Sequence, residues 1–307
     1  MPQDAITGKV FKSGFVSITG RPNVGKSTLL NRVLGQKVSI VTSHPQTTRN
    51  RIVGVHTTDA AQAVFIDTPG IHSPKHGLGA FMVREAEQAI KDVDVVLYMV
   101  DAKPIKSEDA KLLKGILSGG KSVVLAVNKI DKTARSTIIP VLDDYSKRFP
   151  ELSALIPISA MTGENVPELL DKLVGLLPEG DMIYPEDMVT DAYERFLAGE
   201  FIREKVMAAT TEEVPHSVAV SVTKWEEKPS LVRICADIYV EKPGQKGIII
   251  GRKGAMLKQI GTRARADIEG LLGVKVYLEL FVKVREGWRA RPAMLADLGF
   301  LGKKEHD

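Results

Sequence analysis

The chain has 307 residues, of which 44% are hydrophobic and 26% charged, and a net charge of +4. That is enough apolar content to bury a core and enough length for two domains, which excludes wholesale disorder and collagen-like repeats. The single cysteine, Cys235, excludes an internal disulfide or a cysteine-cluster zinc site and fits a reducing compartment.

Residues 1–9 contain no apolar run of signal-peptide length, so a soluble, cytoplasmic protein is expected. Residues 15–19 read as a β-strand, followed by a glycine-rich turn and a helix through Leu29, Leu30 and Val33. A hairpin is expected next, with arms at 52–56 and 63–66 turning near Asp59. Three short β-rich runs, at 95–100, 122–127 and 155–158, alternate with helical stretches at 81–91, 107–118, 135–149 and 166–176. The most continuous apolar stretch, 93–100, contains Asp94 and is far too short to span a bilayer. Continuous apolar strands suit a sheet covered on both faces. Residues 1–180 are therefore predicted to form an α/β domain with a doubly wound, mostly parallel sheet.

The acidic, proline-containing run at 181–190 reads as a linker. Residues 191–307 change to an α+β order: a helix at 191–209, strands at 217–224 and 231–240, a Gly/Lys-rich turn, a helix at 255–272 and a strand at 274–284. Charge is divided unevenly here. Residues 242–291 carry 12 Lys and Arg against 4 Asp and Glu, while residues 181–241 carry 6 against 13. A basic block of this kind marks nucleic acid or an anionic membrane, or is no more than a solvated helix face.

Gly20-Arg21-Pro22-Asn23-Val24-Gly25-Lys26-Ser27 matches G-x-x-x-x-G-K-[ST] between a predicted strand and a predicted helix. Glycines let the backbone approach phosphate closely, and a helix N-terminus adds the positive end of its dipole. Lys26 supplies a charge for the β and γ oxygens, and the Ser27 hydroxyl is a Mg²⁺ ligand. Asp67-Thr68-Pro69-Gly70 ends the third strand; its carboxylate holds Mg²⁺ through water and the Gly70 N–H bonds a γ-phosphate. Asn128-Lys129-Ile130-Asp131 ends the fifth, where a carboxylate accepts the N1–H and N2–H₂ of guanine, donors that adenine lacks. Ser159-Ala160 follows the sixth and offers backbone N–H to guanine O6. In that order behind a P-loop, these motifs resemble those of a translation-factor-related small GTPase, which implies GTP and GDP as ligands. Thr28 and Ile71 complete the expected nucleotide lining.

Residues 45–51, Pro-Gln-Thr-Thr-Arg-Asn-Arg, are polar and aperiodic and read as a first switch loop. By analogy with the Thr-Arg pair of related GTPases, Thr48 completes the Mg²⁺ shell, and Lys26, Thr48 and Gly70 are the candidate catalytic set. Residues 72–76 are the expected second switch, and loss of the γ-phosphate would release both. Where many signalling GTPases carry a water-orienting Gln, this chain has Ile71, so intrinsic turnover is expected to be slow. Asn23 suggests a K⁺ held where an arginine would otherwise sit; its alternative role is turn geometry.

Inside the basic block, Gly251-Arg252-Lys253-Gly254 is a G-x-x-G preceded by Gly247 and Ile248-Ile249-Ile250 and followed by a helix with Lys258, Arg263 and Arg265. Such a loop clamps the backbone of single-stranded nucleic acid in KH domains, and the α-β-β-α-α-β order is that of the type II arrangement. The three isoleucines read as core and groove floor, with Ile250 at the groove. Lys283, Arg285, Trp288 and Arg289 fit a tail that stacks on or pairs with RNA, although Trp288 equally suits a core position.

A GTPase followed by a KH module, with Gln46-Thr47-Thr48-Arg49 in the switch, resembles the Era GTPase family from about Val16 to Gly302. The resemblance implies a monomeric factor that binds 16S ribosomal RNA near its 3′ end and helps to mature the 30S subunit. It also associates the family with peripheral contact at the inner face of the membrane. The competing readings are a GTPase of transfer-RNA modification or membrane-associated signalling, and an RNA chaperone whose hydrolysis is incidental.

Overall fold

The computed structural model describes residues 10–70 and 77–300. Ile71 and the expected second switch at 72–76 lie outside the described residues. Two compact units emerge: residues 1–36, 53–67 and 88–191 form one, and residues 37–52, 68–87 and 192–307 form the other. Two segments of the N-terminal half, 37–52 and 68–87, thus belong to the unit built mainly from the C-terminal half.

The first unit is built on strands β1 (Lys12–Gly20), β2 (Ile52–Thr58), β3 (Ala61–Asp67), β4 (Val95–Asp101), β5 (Ser122–Asn128) and β6 (Ala154–Pro157). They form one sheet in the order β2-β3-β1-β4-β5-β6, with β1 parallel to β3 and β4, and β4, β5 and β6 parallel in turn. Helices α1 (Lys26–Leu34), α2 (Gly77–Lys91), α3 (Ser107–Leu117), α4 (Arg135–Arg148) and α5 (Val166–Leu176) alternate with the strands, and α2 runs across the division between the units. Val95 to Met99 and Val123 to Val127 are wholly buried, as β-branched strands covered on both faces should be. In this topology the loops after β1, β3, β5 and β6 open at the carboxyl ends of parallel strands, where α/β sheets bind ligands. All four nucleotide motifs sit there.

The expected linker is not a loose tether. The Gln62 side chain on β3 accepts from the N–H groups of Ile183 and Tyr184 at 2.7 and 2.9 Å and donates to the Tyr184 carbonyl. Val55 N–H on the edge strand β2 donates to Val189 O at 2.8 Å, and the Thr190 hydroxyl donates to Val53 O at 2.7 Å. The run is strapped along β2 and β3.

The second unit holds α6 (Glu194–Ala209), α7 (Val214–Ser217), β7 (Ala219–Lys228), β8 (Leu231–Val240), α8 (Pro243–Ile250), α9 (Ala255–Leu272), β9 (Lys275–Val284) and α10 (Pro292–Asp297). Its sheet runs β7-β8-β9, with β8 antiparallel to β7 and parallel to β9. Ile234, Ile238 and Val282 on one face pack into a core with Phe201 and Ile202 of α6 and Ile260 and Ile268 of α9. α8 stands where a Gly/Lys-rich turn was expected. Pro243 occupies its first turn, and the buried Gln245 carboxamide accepts from the N–H groups of Glu241 and Lys242 at 2.9 and 3.0 Å, satisfying the helix start that the two glycines weaken. Among the described residues no helix is long and apolar enough to cross a membrane.

The three isoleucines of α8 separate. Ile249 is wholly buried, Ile250 half-buried against the same core, and Ile248, expected in the core or groove floor, is 52% exposed because the helix turns it outward. Ile249→Ala should therefore cost about 2–5 kcal/mol, while Ile248→Ala should stay within about 0.5 kcal/mol. Urea denaturation of the two variants checks the contrast.

Candidate nucleotide and RNA sites

The P-loop is set by its carbonyls. Lys26 Nζ curls back to donate to Gly20 O at 3.2 Å and Arg21 O at 3.0 Å. Lys129 Nζ donates to Asn23 O at 2.5 Å, and Asn128 Nδ2 donates to Val24 O at 2.7 Å. A loop whose carbonyls are drawn to side chains in this way is suited to turning its peptide N–H groups toward an anion, as in a nest. Gly25, at φ 103°, begins α1, and a Cβ there would lie 2.3 Å from Asn128 Nδ2, so no other residue fits. Pro22 and Thr28 are half-buried beside it, and Arg21 pairs with Asp109 at 3.4 Å.

Asp67 at the end of β3 is fully buried and accepts a hydrogen bond from Ser27 Oγ at 2.6 Å. The two expected Mg²⁺ ligands are thus adjacent hard oxygens, the donor chemistry that Mg²⁺ takes. Thr48, Thr68, Pro69 and Gly70 are all buried and belong to the second unit. Asn23 stands at φ 64°, a left-handed backbone that asparagine tolerates better than most residues.

The guanine motif has a structural side that its sequence does not announce. Asn128 bridges the P-loop to the next loop, since its Oδ1 accepts from Ala160 N–H at 2.9 Å while its Nδ2 holds Val24 O. The Ala160 N–H expected to meet guanine O6 would have to share that bond. Ser159 N–H donates to Glu164 O. The Ser159 hydroxyl donates to Asp131 Oδ1 at 2.7 Å, which orients an exposed carboxylate. Lys129, at φ 70°, also pairs with Asp101 at 2.8 Å.

In the second unit the G-x-x-G joins α8 to α9. Gly251 has φ 70°, and a Cβ there would meet Met256 Cβ at 2.7 Å, so the loop closes only around glycine. Arg252 and Lys253 are exposed at the start of α9. Beside them a groove of about 440 Å³ is lined by Gly254, Leu257, Lys258, Gly261, Thr262, Arg265, Leu278 and Leu280. It has an apolar floor and a basic rim.

The basic block divides in two. Lys242, Lys246, Arg252, Lys253, Lys258, Arg263 and Arg265 make no ion pair among the described residues. The tail is different. Lys283 pairs with Asp237 at 2.6 Å, Arg285 lies over the Tyr239 ring and 3.7 Å from Asp297, and Arg289 pairs with Glu241. Trp288, expected either on RNA or in the core, is wholly buried and donates its indole N–H to Ser217 O at 3.0 Å. It offers no face to a ligand, and the stacking role falls. Arg49, read from the sequence as one polar residue of an exposed loop, is instead buried.

This is a P-loop nucleotide site in one unit and a KH groove in the other. The model described as "50S ribosome-binding GTPase" matches residues 15–129, and the KH domain model matches residues 213–289. The chain is 50% identical over 294 residues to the GTPase Era of Syntrophus aciditrophicus (strain SB), covering 95% of this chain and 96% of that one. A variant of Aquifex aeolicus Era solved with GDP·AlF4⁻ superposes with a TM-score of 0.92 at 44% identity, covering 94% of this chain and 99% of its own. An Era structure in complex with MgGDPNP and nucleotides 1506–1542 of 16S ribosomal RNA matches with the same score, identity and coverage. The chain belongs to the Era family of GTPases.

Burial lowers the Lys26 pKa to about 8, against the pull of Asp67. Without a phosphate beside it, the charge is fully present only below that pH. Between about 8 and the ordinary lysine value the unfolded chain binds the extra proton, so stability rises with pH there. A phosphate restores the charge, so binding takes up a proton, and GDP affinity should fall by up to about tenfold per pH unit above pH 8. Fluorescent-GDP titration from pH 7 to 9.5, with calorimetry in two buffers of different ionisation enthalpy, measures both effects.

Proposed function

We propose that this GTPase is a nucleotide-gated RNA-binding switch that binds 16S ribosomal RNA near its 3′ end and assists maturation of the 30S subunit. The observation that carries the reading is the conjunction, in one chain, of the P-loop site and an unpaired basic rim around a G-x-x-G groove. The Era structure with both MgGDPNP and 16S nucleotides supports it. Residues 1–180 act as the GTPase module, 181–190 join the modules, and 191–307 hold RNA. The protein works as a monomer in the cytoplasm, with the membrane's inner face as an occasional peripheral contact.

In this reading Lys26 reaches the β and γ oxygens of GTP from its seat on the loop carbonyls. Backbone N–H groups from Asn23 to Thr28 hold the phosphates inside the loop that Gly20, Arg21 and Pro22 open, and Asp131 takes the guanine edge. Ser27, Asp67 and Thr48 hold Mg²⁺. When bound, the ion would neutralise charge on the phosphates. The Gly70 N–H meets the γ-phosphate. Water attacks the γ-phosphorus in line as the bond to the β–γ bridging oxygen breaks. With no Gln after Gly70 to orient that water, turnover is slow, and Asn23 holds a K⁺ that supplies part of the missing charge.

RNA lies across Gly247, Ile250, Gly251, Arg252, Lys253 and Gly254, with Lys258 and Arg263 along α9. Replacing Arg252 and Lys253 together with Asp should weaken binding to single-stranded RNA by about a hundredfold or more, because two phosphate contacts become repulsions. Intrinsic GTP hydrolysis should change less than about twofold, since the site residues stay in place. Tighter wild-type binding to anionic vesicles than to 16S 3′-end RNA, compared across salt concentrations, would instead favour the membrane-signalling reading, and preference for transfer RNA would favour the modification reading. For Asn23, hydrolysis should run several-fold faster in KCl than in matched NaCl, about 1 kcal/mol off the barrier; equal rates would remove the ion.

A further inference from the structure

Residues 38–51 contain neither helix nor strand, so their own backbone does little to hold them. What holds them is the rest of the second unit. Lys37 Nζ lies 2.5 Å from both Glu204 and Asp267, carboxylates that Lys205 shares, and Val41 N–H donates to Glu204 Oε1 at 2.9 Å. Arg203 on α6 donates to Thr47 O at 2.5 Å. Arg49 Nη1 donates to Val218 O at 2.6 Å and Nη2 to His216 O at 3.3 Å, with the guanidinium 5.7 Å from the Trp288 ring and 6.0 Å from that of Phe300. Thr48 is therefore gripped on both sides, through the carbonyl before it and the side chain after it.

Arg49 is only 3% exposed, yet it has no carboxylate within ion-pair distance among the described residues. Burial and the neighbouring Arg203 oppose its charge, and Glu200 favours it. Stability alone would be better served by an apolar side chain in such a place. What a guanidinium adds is direction: a planar fork that binds two carbonyls while lying beside a stacked pair of aromatic rings. The same rings receive the other switch-bearing segment, for Leu78, Phe81 and Met82 of α2 pack into the cluster of Trp288, Leu295 and Phe300.

We infer that Arg49 is a positioning residue, whose seat against Trp288 and Phe300 fixes the backbone that presents the Thr48 hydroxyl to the nucleotide-bound Mg²⁺. The C-terminal tail is then a seat for the loop that carries Thr48 rather than an RNA contact. This rests on the reading of Thr48 as a Mg²⁺ ligand.

The test uses the full chain and measures the Mg²⁺ concentration that half-saturates retention of a fluorescent, non-hydrolysable GTP analogue, beside GDP affinity. Thr48→Ala should raise that concentration by about tenfold, in the range of lost ligands and their supports, with GDP affinity unchanged. Arg49→Met, which keeps the volume and drops the carbonyl bonds, should raise it comparably, and the Thr48→Ala/Arg49→Met double variant should go no further than Thr48→Ala. In a Trp225→Phe background, Trp288 is the sole tryptophan, and Arg49→Met should alter its emission and acrylamide quenching if the seat is occupied in solution. A shift with Thr48→Ala but none with Arg49→Met overturns the positioning role alone. No shift with Thr48→Ala overturns the metal-ligand reading and the inference with it. Should Arg49→Met lower GDP affinity equally, or fail to fold while Arg49→Lys binds Mg²⁺ as the wild type does, the role is structural and the inference fails.

Discussion

A loop can present its N–H groups to a phosphate only if its carbonyls are turned the other way and kept there. Here four P-loop carbonyls are held by three side chains, Lys26, Lys129 and Asn128, two of which come from a motif more than a hundred residues downstream. Asn128 also anchors Ala160, so the phosphate loop, the guanine loop and the loop after β6 are one hydrogen-bonded body. The parallel sheet matters because it brings the carboxyl ends of β1, β3, β5 and β6 to a common edge where such bonds close. Recognition of the base and shaping of the phosphate cradle are then one arrangement, since whatever disturbs Asn128 disturbs both.

The parts of the protein that were legible in the sequence are those written contiguously. The P-loop, Asp67-Thr68-Pro69-Gly70, the guanine motif and Gly251-Arg252-Lys253-Gly254 each carry their chemistry within a few residues, and turn glycines at fixed offsets leave few alternatives. Helices with a clear apolar stripe were also legible: α5 and α9 lie where expected. α6 also lies within its expected span, although it carries no such stripe, because it is buried on several sides, with Arg203 and Glu204 facing the 37–51 segment rather than water. α8 was hidden by its glycines, and its start is marked by Pro243 and by the Gln245 side chain bonding backward. Arg49 illustrates the limit best. Its seat is built from residues some 170 to 250 positions away, and nothing local distinguishes it from Arg51, which is exposed.

Charge patterning was informative in sum and misleading in detail. The acidic stretch before the basic block is not merely a linker's solvation, since Glu204, Asp237 and Glu241 are partners of Lys37, Lys283 and Arg289. These pairs neutralise the tail and leave the uncompensated bases of the block around α8 and α9, concentrated at the groove. Placement of the acids thereby focuses the positive potential on a surface whose glycines can admit a sugar–phosphate backbone.

The strap along β2 carries a consequence for how the polypeptide is made. Until residues 183–190 have been synthesised, the outer strand of the larger sheet has bare backbone donors and acceptors, the kind of border on which chains stick to one another. A truncation ending at 180 would leave that border uncovered for good, however complete its nucleotide pocket. The short acidic stretch is in this sense the closing piece of the N-terminal module, and the newborn chain is most prone to clumping in the interval before it emerges.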